Sequence, residues 1–150
     1  LLMLPFKLTL MPTKLIAMLL TLPCRLLSMQ TLPPTLLNLL PVMLLTTTGV
    51  KSGLQRSSPL VYITDGDALF LIASNFGRTG HPAWYRNLKA HPAVDVLAGK
   101  RSGRYTATEV TDPDERDRAW ARAVQVYPGY EDYVARAQGR VIPVIRLTRT

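Results

Sequence analysis

Between Val42 and Leu147 the chain alternates short apolar or β-branched runs with turn-forming residues, and this rhythm predicts strands joined by tight turns. Val42 to Thr48 is apolar and then β-branched, and it runs into Gly49-Val50-Lys51-Ser52-Gly53, a strand ending in a turn. Ser57 to Thr64 predicts the second strand. Asp65-Gly66-Asp67 is a hairpin signal, because glycine tolerates positive φ, and Ala68 to Ala73 returns as the third. Ala93 to Leu97 and Arg104 to Val110 form another hairpin through Gly99-Lys100-Arg101-Ser102-Gly103, and Val141 to Leu147 is the last strand.

Helices are predicted in between. Pro82 suits a first helical position and Pro92 stops the element, so a short helix spans about Pro82 to Ala90. Asp112-Pro113-Asp114-Glu115 is a variant capping box opening a helix towards Val126, and its acids suit the positive helix end. Pro128-Gly129 breaks that helix, and Tyr130 to Ala137 predicts another. About six mostly antiparallel strands with two or three helices argue for an α+β domain built on a small β-barrel.

Residues 1–41 break the rhythm. They are mostly Leu, Met, Thr and Pro, with prolines at 5, 12, 23, 33, 34 and 41. Proline inside a helix costs about 3 kcal/mol, and the longest clean apolar window, Leu15 to Leu22, falls short of the roughly 20 residues of a spanning helix. The Pro23-Cys24-Arg25 that follows lacks a small-residue cleavage pattern, which argues against a secretory signal. Three readings stay open for this leader: an amphipathic segment lying on an anionic membrane through Lys7, Lys14 and Arg25, a mobile leader, or an altered or misassigned one. The expected organisation is therefore a leader over 1–41 and one domain over 42–150.

Charge sharpens this division. The net charge is +8, and residues 1–64 carry five basic side chains and no carboxylate, while residues 65–150 carry 13 basic and 10 acidic ones. A basic chain can meet nucleic acid, an anionic membrane or a polyanionic small molecule. No recognition module and no aromatics interleaved with Lys and Arg on a strand argue for nucleic acid, so that partner is excluded. The single cysteine, Cys24, forms no intramolecular disulfide and suits a reducing cytoplasmic setting. His81 and His91 each precede proline without nearby carboxylates, a poor metal set, and no metal is expected.

The chemistry-bearing residues fall in three places. Gly49 to Pro59 packs Lys51, Ser52, Arg56, Ser57 and Ser58 into one turn and the strand after it, a pattern suited to anions but also to a polar surface hairpin; it lacks the Walker spacing. Ala73-Ser74-Asn75-Phe76-Gly77 lies at a strand end before His81-Pro82-Ala83-Trp84-Tyr85, whose rings either flank a planar ligand or pack in the core. Tyr127, Tyr130 and Tyr133 recur every third residue, which gives their hydroxyls a similar azimuth if the stretch is helical. Neutral tyrosine can donate a hydrogen bond or proton to a developing oxyanion, although structural tyrosine is the commoner case.

Taken in order, these segments resemble the deazaflavin-dependent nitroreductase and quinone reductase family of mycobacteria and their relatives. The resemblance covers about Pro41 to Thr148 and rests on Leu44-Leu45-Thr46-Thr47-Thr48-Gly49, Lys51-Ser52-Gly53, Arg56-x-x-Pro59-Leu60, Ala73-Ser74-Asn75, His81-Pro82-Ala83-Trp84-Tyr85-x-Asn87-Leu88, Tyr127-Pro128-Gly129-Tyr130-x-x-Tyr133 and Arg140-x-Ile142-Pro143. It implies a split β-barrel of the flavin-binding type that holds coenzyme F420 and passes hydride to a quinone, nitroaromatic or activated enone. By the same resemblance, Lys51, Ser52, Arg56, Ser57, Ser58, Pro59, Leu60, Val61, Ala73, Ser74, Asn75, Ala83, Trp84, Tyr85, Arg86 and Asn87 surround the cofactor. Tyr130 touches both cofactor and acceptor, and Tyr127, Tyr133 and Ser74 complete the acceptor pocket. The alternatives are a related barrel using FMN or haem, and a non-catalytic F420 carrier. This chain departs from the family pattern at Val50, where a cation is usual, at Phe76-Gly77, which replaces Gly-Gly with a bulkier loop, and at Val61, where tyrosine is frequent.

Overall fold

The structure is a computed structural model that describes residues 40–150. The expectations for the leader, membrane association included, lie outside the described residues but for Leu40 and Pro41. No helix among the described residues is long and apolar enough to cross a membrane.

Strand β1 (Val42–Thr48) is followed by β2 (Gln55–Asp65), β3 (Ala68–Ile72), helix α1 (Ala83–Ala90), β4 (Ala93–Leu97) and β5 (Gly103–Glu109). Helices α2 (Pro113–Val126) and α3 (Gly129–Arg136) precede the final strand, β6 (Val144–Arg149). The strands close into a barrel in the order β1-β2-β3-β6-β5-β4, with every pairing antiparallel.

Alternation decides what fills the barrel. Along β1, Met43, Leu45 and Thr47 are buried while their neighbours are partly exposed, the period of two that turns one strand face inward. Leu69 and Leu71 of β3, Val94 and Val96 of β4, Tyr105 and Ala107 of β5, and Ile145 and Leu147 of β6 meet them, and α1 adds Trp84 and Leu88. On β3 and β6 the opposite face is buried as well. Phe70, Ile72 and Val144 pack outward against Ala119 and Ala123 of α2 and Tyr130 and Tyr133 of α3, so two helices cover one side of the barrel.

Capping explains where α2 starts. Asp112 accepts a hydrogen bond from the Glu115 N–H at 3.1 Å, and Pro113 occupies the first turn. The reciprocal arm of the capping box is not made. The Glu115 carboxylate instead accepts from Arg146 of β6 at 3.2 Å, tying the helix start to the barrel.

Two strand starts differ from the sequence expectation by more than one residue. Strand β6 begins at Val144 and not Val141, because Pro143 has no N–H to give a ladder; its carbonyl accepts from Ala73 N instead, at 2.9 Å, and Val141 is exposed. Strand β2 begins two residues early, at Gln55, and accommodates Pro59 in its interior. The Tyr62 amide donates to Pro41 of the β1 side at 2.9 Å, so in the alternating antiparallel ladder residues 58 and 60 also face β1 while 59 and 61 face away. Proline at 59 therefore costs no bond to β1.

That arrangement splits the barrel. Strand β2 pairs with β1 from Gln55 to Val61 but with β3 only from Tyr62 to Asp65. The edge of β2 that Pro59 and Val61 face is left without a strand neighbour, and the chain leaving β3 at Ala73 turns away from it.

Candidate active site at the barrel split

A cleft of about 200 Å³ opens at this split. It is lined by Ser58 to Val61 of β2, Leu71 and Ile72 of β3, Ser74, Asn75 and Phe76 of the turn after β3, Pro82 and Trp84 at the start of α1, and Tyr127, Tyr130 and Tyr133. No lining residue carries a charge. The cleft is thus largely apolar, with hydroxyls, one carboxamide and the Trp84 indole N–H as its side-chain polar groups, the make-up usual in small-molecule sites.

The three tyrosines converge although no single helix carries them. Tyr127 ends α2, Pro128 turns the chain, and Tyr130 and Tyr133 lie on α3. Gly129 makes the convergence feasible: a Cβ there would lie 2.5 Å from the Tyr127 ring, so only glycine lets that ring fold back over the helix start. The Tyr127 and Tyr133 hydroxyls are 3.1 Å apart and hydrogen-bonded, and the Tyr130 ring stands edge-on to both. Burial first, and then the neighbouring phenol Tyr127, push the Tyr130 hydroxyl well above its usual range. Burial and the hydrogen bond shared with Tyr127 do the same for Tyr133. These phenols are neutral, as donors to a developing oxyanion must be.

The turn after β3, packed beside Tyr133, has an uncommon backbone. Asn75, Phe76 and Gly77 all have positive φ, at 48°, 57° and 74°. A left-handed conformation costs a non-glycine residue about 1–2 kcal/mol, and such strain persists only where the surroundings over-determine it. Here Arg140 does so. Its guanidinium donates to the carbonyls of Ala73 (3.3 Å), Ser74 (2.7 Å) and Arg78 (3.0 Å) and to His81 Nδ1 (3.1 Å). Arginine has no acceptor, so His81 Nδ1 must accept and the ring proton sits on Nε2. Burial, followed by the Arg140 charge, holds His81 below its ordinary value and favours this neutral form. The Asn75 side chain adds a bond to the Gly80 carbonyl at 2.8 Å, and Gly77 packs so tightly on α3 that a Cβ would lie 2.9 Å from Tyr133 Cα.

Of the residues expected around a cofactor or acceptor, Ser58, Pro59, Leu60, Val61, Ser74, Asn75, Trp84, Tyr127, Tyr130 and Tyr133 line the cleft. The others do not. Ala73 is fully buried in the barrel core. Ala83 and Arg86 are on the exposed face of α1, and the Tyr85 hydroxyl donates to Glu109 at 2.9 Å. Asn87 is buried and committed to the fold: it donates to Thr47 Oγ1 and accepts from the Val50 N–H, both at 3.1 Å, which ties α1 to the Gly49–Gly53 turn. Ser57 reaches Thr46 across the β1–β2 ladder at 2.8 Å. Lys51, Ser52 and Arg56 are exposed at the mouth of β2, and neither cation makes an ion pair among the described residues. Arg56 is two residues from Ser58, about 7 Å along an extended strand. Lys51 lies further back, in the turn that precedes β2.

Sequence reasoning gave no role to Leu71, Ile72 and Pro82, which line the cleft, or to Arg140 and His81, which brace it. The first two alternate as ordinary core residues, and the Arg140–His81 contact spans 59 positions, so no local pattern signals it.

A six-stranded antiparallel barrel with an uncharged cleft where β2 lacks a full strand neighbour is a split barrel. The comparisons with known proteins narrow the class. The F420H(2)-dependent quinone reductase family matches residues 30–149. An F420H(2)-dependent quinone reductase of Mycobacterium tuberculosis is 40% identical over 116 residues, covering 73% of this chain and 74% of that protein. Among solved structures, an F420-H2 dependent reductase superposes with a TM-score of 0.65 at 38% identity, over 72% of this chain and 94% of that one. The haem storage protein of Vibrio cholerae shares the fold alone, with a TM-score of 0.54 at 15% identity over 79% of this chain and 90% of that one. The chain belongs to the F420H(2)-dependent quinone reductase family and is an F420-dependent oxidoreductase.

Proposed function

We propose that the cleft at the barrel split is the active site, with the ring of F420 lying along β2 against Trp84 and with the three tyrosines holding the acceptor. The observation that carries this reading is the gathering of neutral, buried phenols in an uncharged cleft beside β2, the strand that also carries Arg56. The residues fit the cofactor. An apolar lining suits its ring, and the exposed Lys51 and Arg56, without ion-pair partners among the described residues, suit its phosphate and oligoglutamate tail.

Reduced F420, when bound, supplies the hydride. The protein's residues do the rest. Leu60, Val61, Leu71 and Ile72 exclude water, which strengthens every polar contact inside. Tyr130 and Tyr133 donate hydrogen bonds to the acceptor oxygen on which charge develops, and Tyr127, bonded to Tyr133, fixes that phenol's direction. Hydride plus one proton from solvent converts a quinone to its hydroquinone. Nitroaromatics and activated enones also develop negative charge on oxygen when they take hydride, so they belong to the same acceptor class.

Titrating the full chain with F420, FMN and haem, followed by anaerobic turnover of F420H2 with menadione, tests the reading. F420 binding with menadione reduction is expected. F420 binding without oxidation by any quinone or nitro compound would make the protein a carrier, and binding of FMN alone would overturn the assignment.

A further inference from the structure

The strained turn beside Tyr133 carries a side chain that the chemistry does not require. Phe76 sits at φ 57° and ψ 25°, in the middle of three consecutive left-handed residues. Glycine would occupy that conformation without steric cost. The chain instead holds an aromatic ring there, partly buried in the cleft wall, and packs it edge-on against Tyr133 with ring centroids 6.2 Å apart and an interplanar angle of 80°. The turn cannot relax to move the ring aside. Arg140 grips the carbonyls on both flanks, Asn75 is tied to Gly80, and Gly77 is locked against Tyr133.

We infer that Phe76 is a specificity-determining residue, a fixed gauge that limits the width of the acceptor admitted beside Tyr133. This rests on the assignment of the cleft as the acceptor site. An acceptor hydrogen-bonded to Tyr133 must lie within van der Waals reach of the Phe76 ring, because the two rings already touch. One- and two-ring acceptors fit that gap, whereas a three-ring quinone collides with an aromatic edge that its Arg140-held backbone does not let swing away.

The test is a size series at position 76, with Phe76→Gly, Phe76→Ala and Phe76→Trp in the full chain, assayed with menadione and with a three-ring anthraquinone sulfonate. The ratio of kcat/KM for the anthraquinone over menadione is expected to rise about tenfold in the Gly and Ala variants and to fall severalfold in the Trp variant, the scale by which small shape changes in a pocket discriminate substrates. A second readout needs no cofactor: quenching of intrinsic fluorescence by each quinone should show tighter anthraquinone binding to Phe76→Ala and little change for menadione. The Ala variant keeps the left-handed strain and the Gly variant relieves it, so agreement between them separates ring size from backbone release. An unchanged ratio in an active series overturns the inference. Absence of F420H2 turnover in the unmutated chain would instead strike the functional assignment, and the fluorescence arm would still decide whether Phe76 gauges acceptor width.

Discussion

The two sides of the barrel are held by different forces. Around β1, β4 and β5 the structure is made by alternation: Met43, Leu45, Val94, Val96 and Ala107 point inward from their strands, and their burial fixes register, with cross-strand pairs such as Asp95–Arg104 on the exposed face. Around the split, where β2 loses its neighbour, packing gives way to straps: Arg140 on three carbonyls and His81, Asn75 on Gly80, and Tyr127 on Tyr133. Apolar packing tolerates exchange among residues of similar volume, whereas a strap depends on one donor reaching named acceptors. A binding cleft needs open edge and exposed surface, which a packed barrel wall does not provide, so polar bonds hold in place what burial cannot.

Substitutions on the two sides should separate these mechanisms. The largest effect on stability is expected from Leu45→Ala, a fully buried side chain whose removal leaves a cavity and costs about 2–5 kcal/mol. Chemical denaturation measures it, and hydrogen exchange should quicken across all six strands together. Arg140→Gln should cost less, about 2 kcal/mol, since it removes charge-assisted bonds from the carbonyls. Its signature is local: amides of Gly77 and Arg78, which bond within the turn, exchange faster while those of β4 and β5 do not change. Uniform acceleration would place Arg140 with the core.

A smaller effect follows from pH. The groups facing His81 are Arg140, Arg86, Glu109 and the Tyr85 ring stacked at 4.7 Å. Burial and then Arg140 depress its folded value below 6.5, so the Nδ1 acceptor contributes fully above that value and is lost as pH falls through the lower, folded one. Acidification should therefore lower the protection of the Gly77–His81 segment in the native chain, measured against the intrinsic exchange rate at each pH, and His81→Gln, which keeps an acceptor oxygen, should abolish the response. The smallest effect on stability is expected of Lys51→Ala, an exposed side chain without an ion pair, which should leave denaturation within about 0.5 kcal/mol. F420 affinity should fall severalfold and depend less on salt.

The same contrast explains what the sequence discloses. Strands β1, β3 and β4 and the start of α2 are readable because they rest on periodicity, hairpin glycines and a capping acid, all local signals. The end of β2 that forms the cleft wall is readable as a strand, but not as an unpaired one, because its missing neighbour is a fact about β3. The every-third spacing of Tyr127, Tyr130 and Tyr133 and the break at Pro128-Gly129 are both readable; that the three hydroxyl-bearing rings converge across that break, through a contact that Gly129 permits, is not. Asn87 was expected beside the cofactor, and its amide is engaged by Thr47 and Val50, 40 and 37 positions away. What stays hidden is long-range and polar.

The cleft's role turns on Tyr133, which borders both the acceptor space and the strained turn. Anaerobic oxidation of F420H2 by menadione, compared between the full chain and Tyr133→Phe, tests it most directly. Turnover should slow by roughly a hundredfold, the scale of losing one oxyanion donor, with F420 affinity close to that of the unmutated chain and a stability loss of about 1 kcal/mol from the broken Tyr127 bond. Equal turnover in the two proteins would contradict that role.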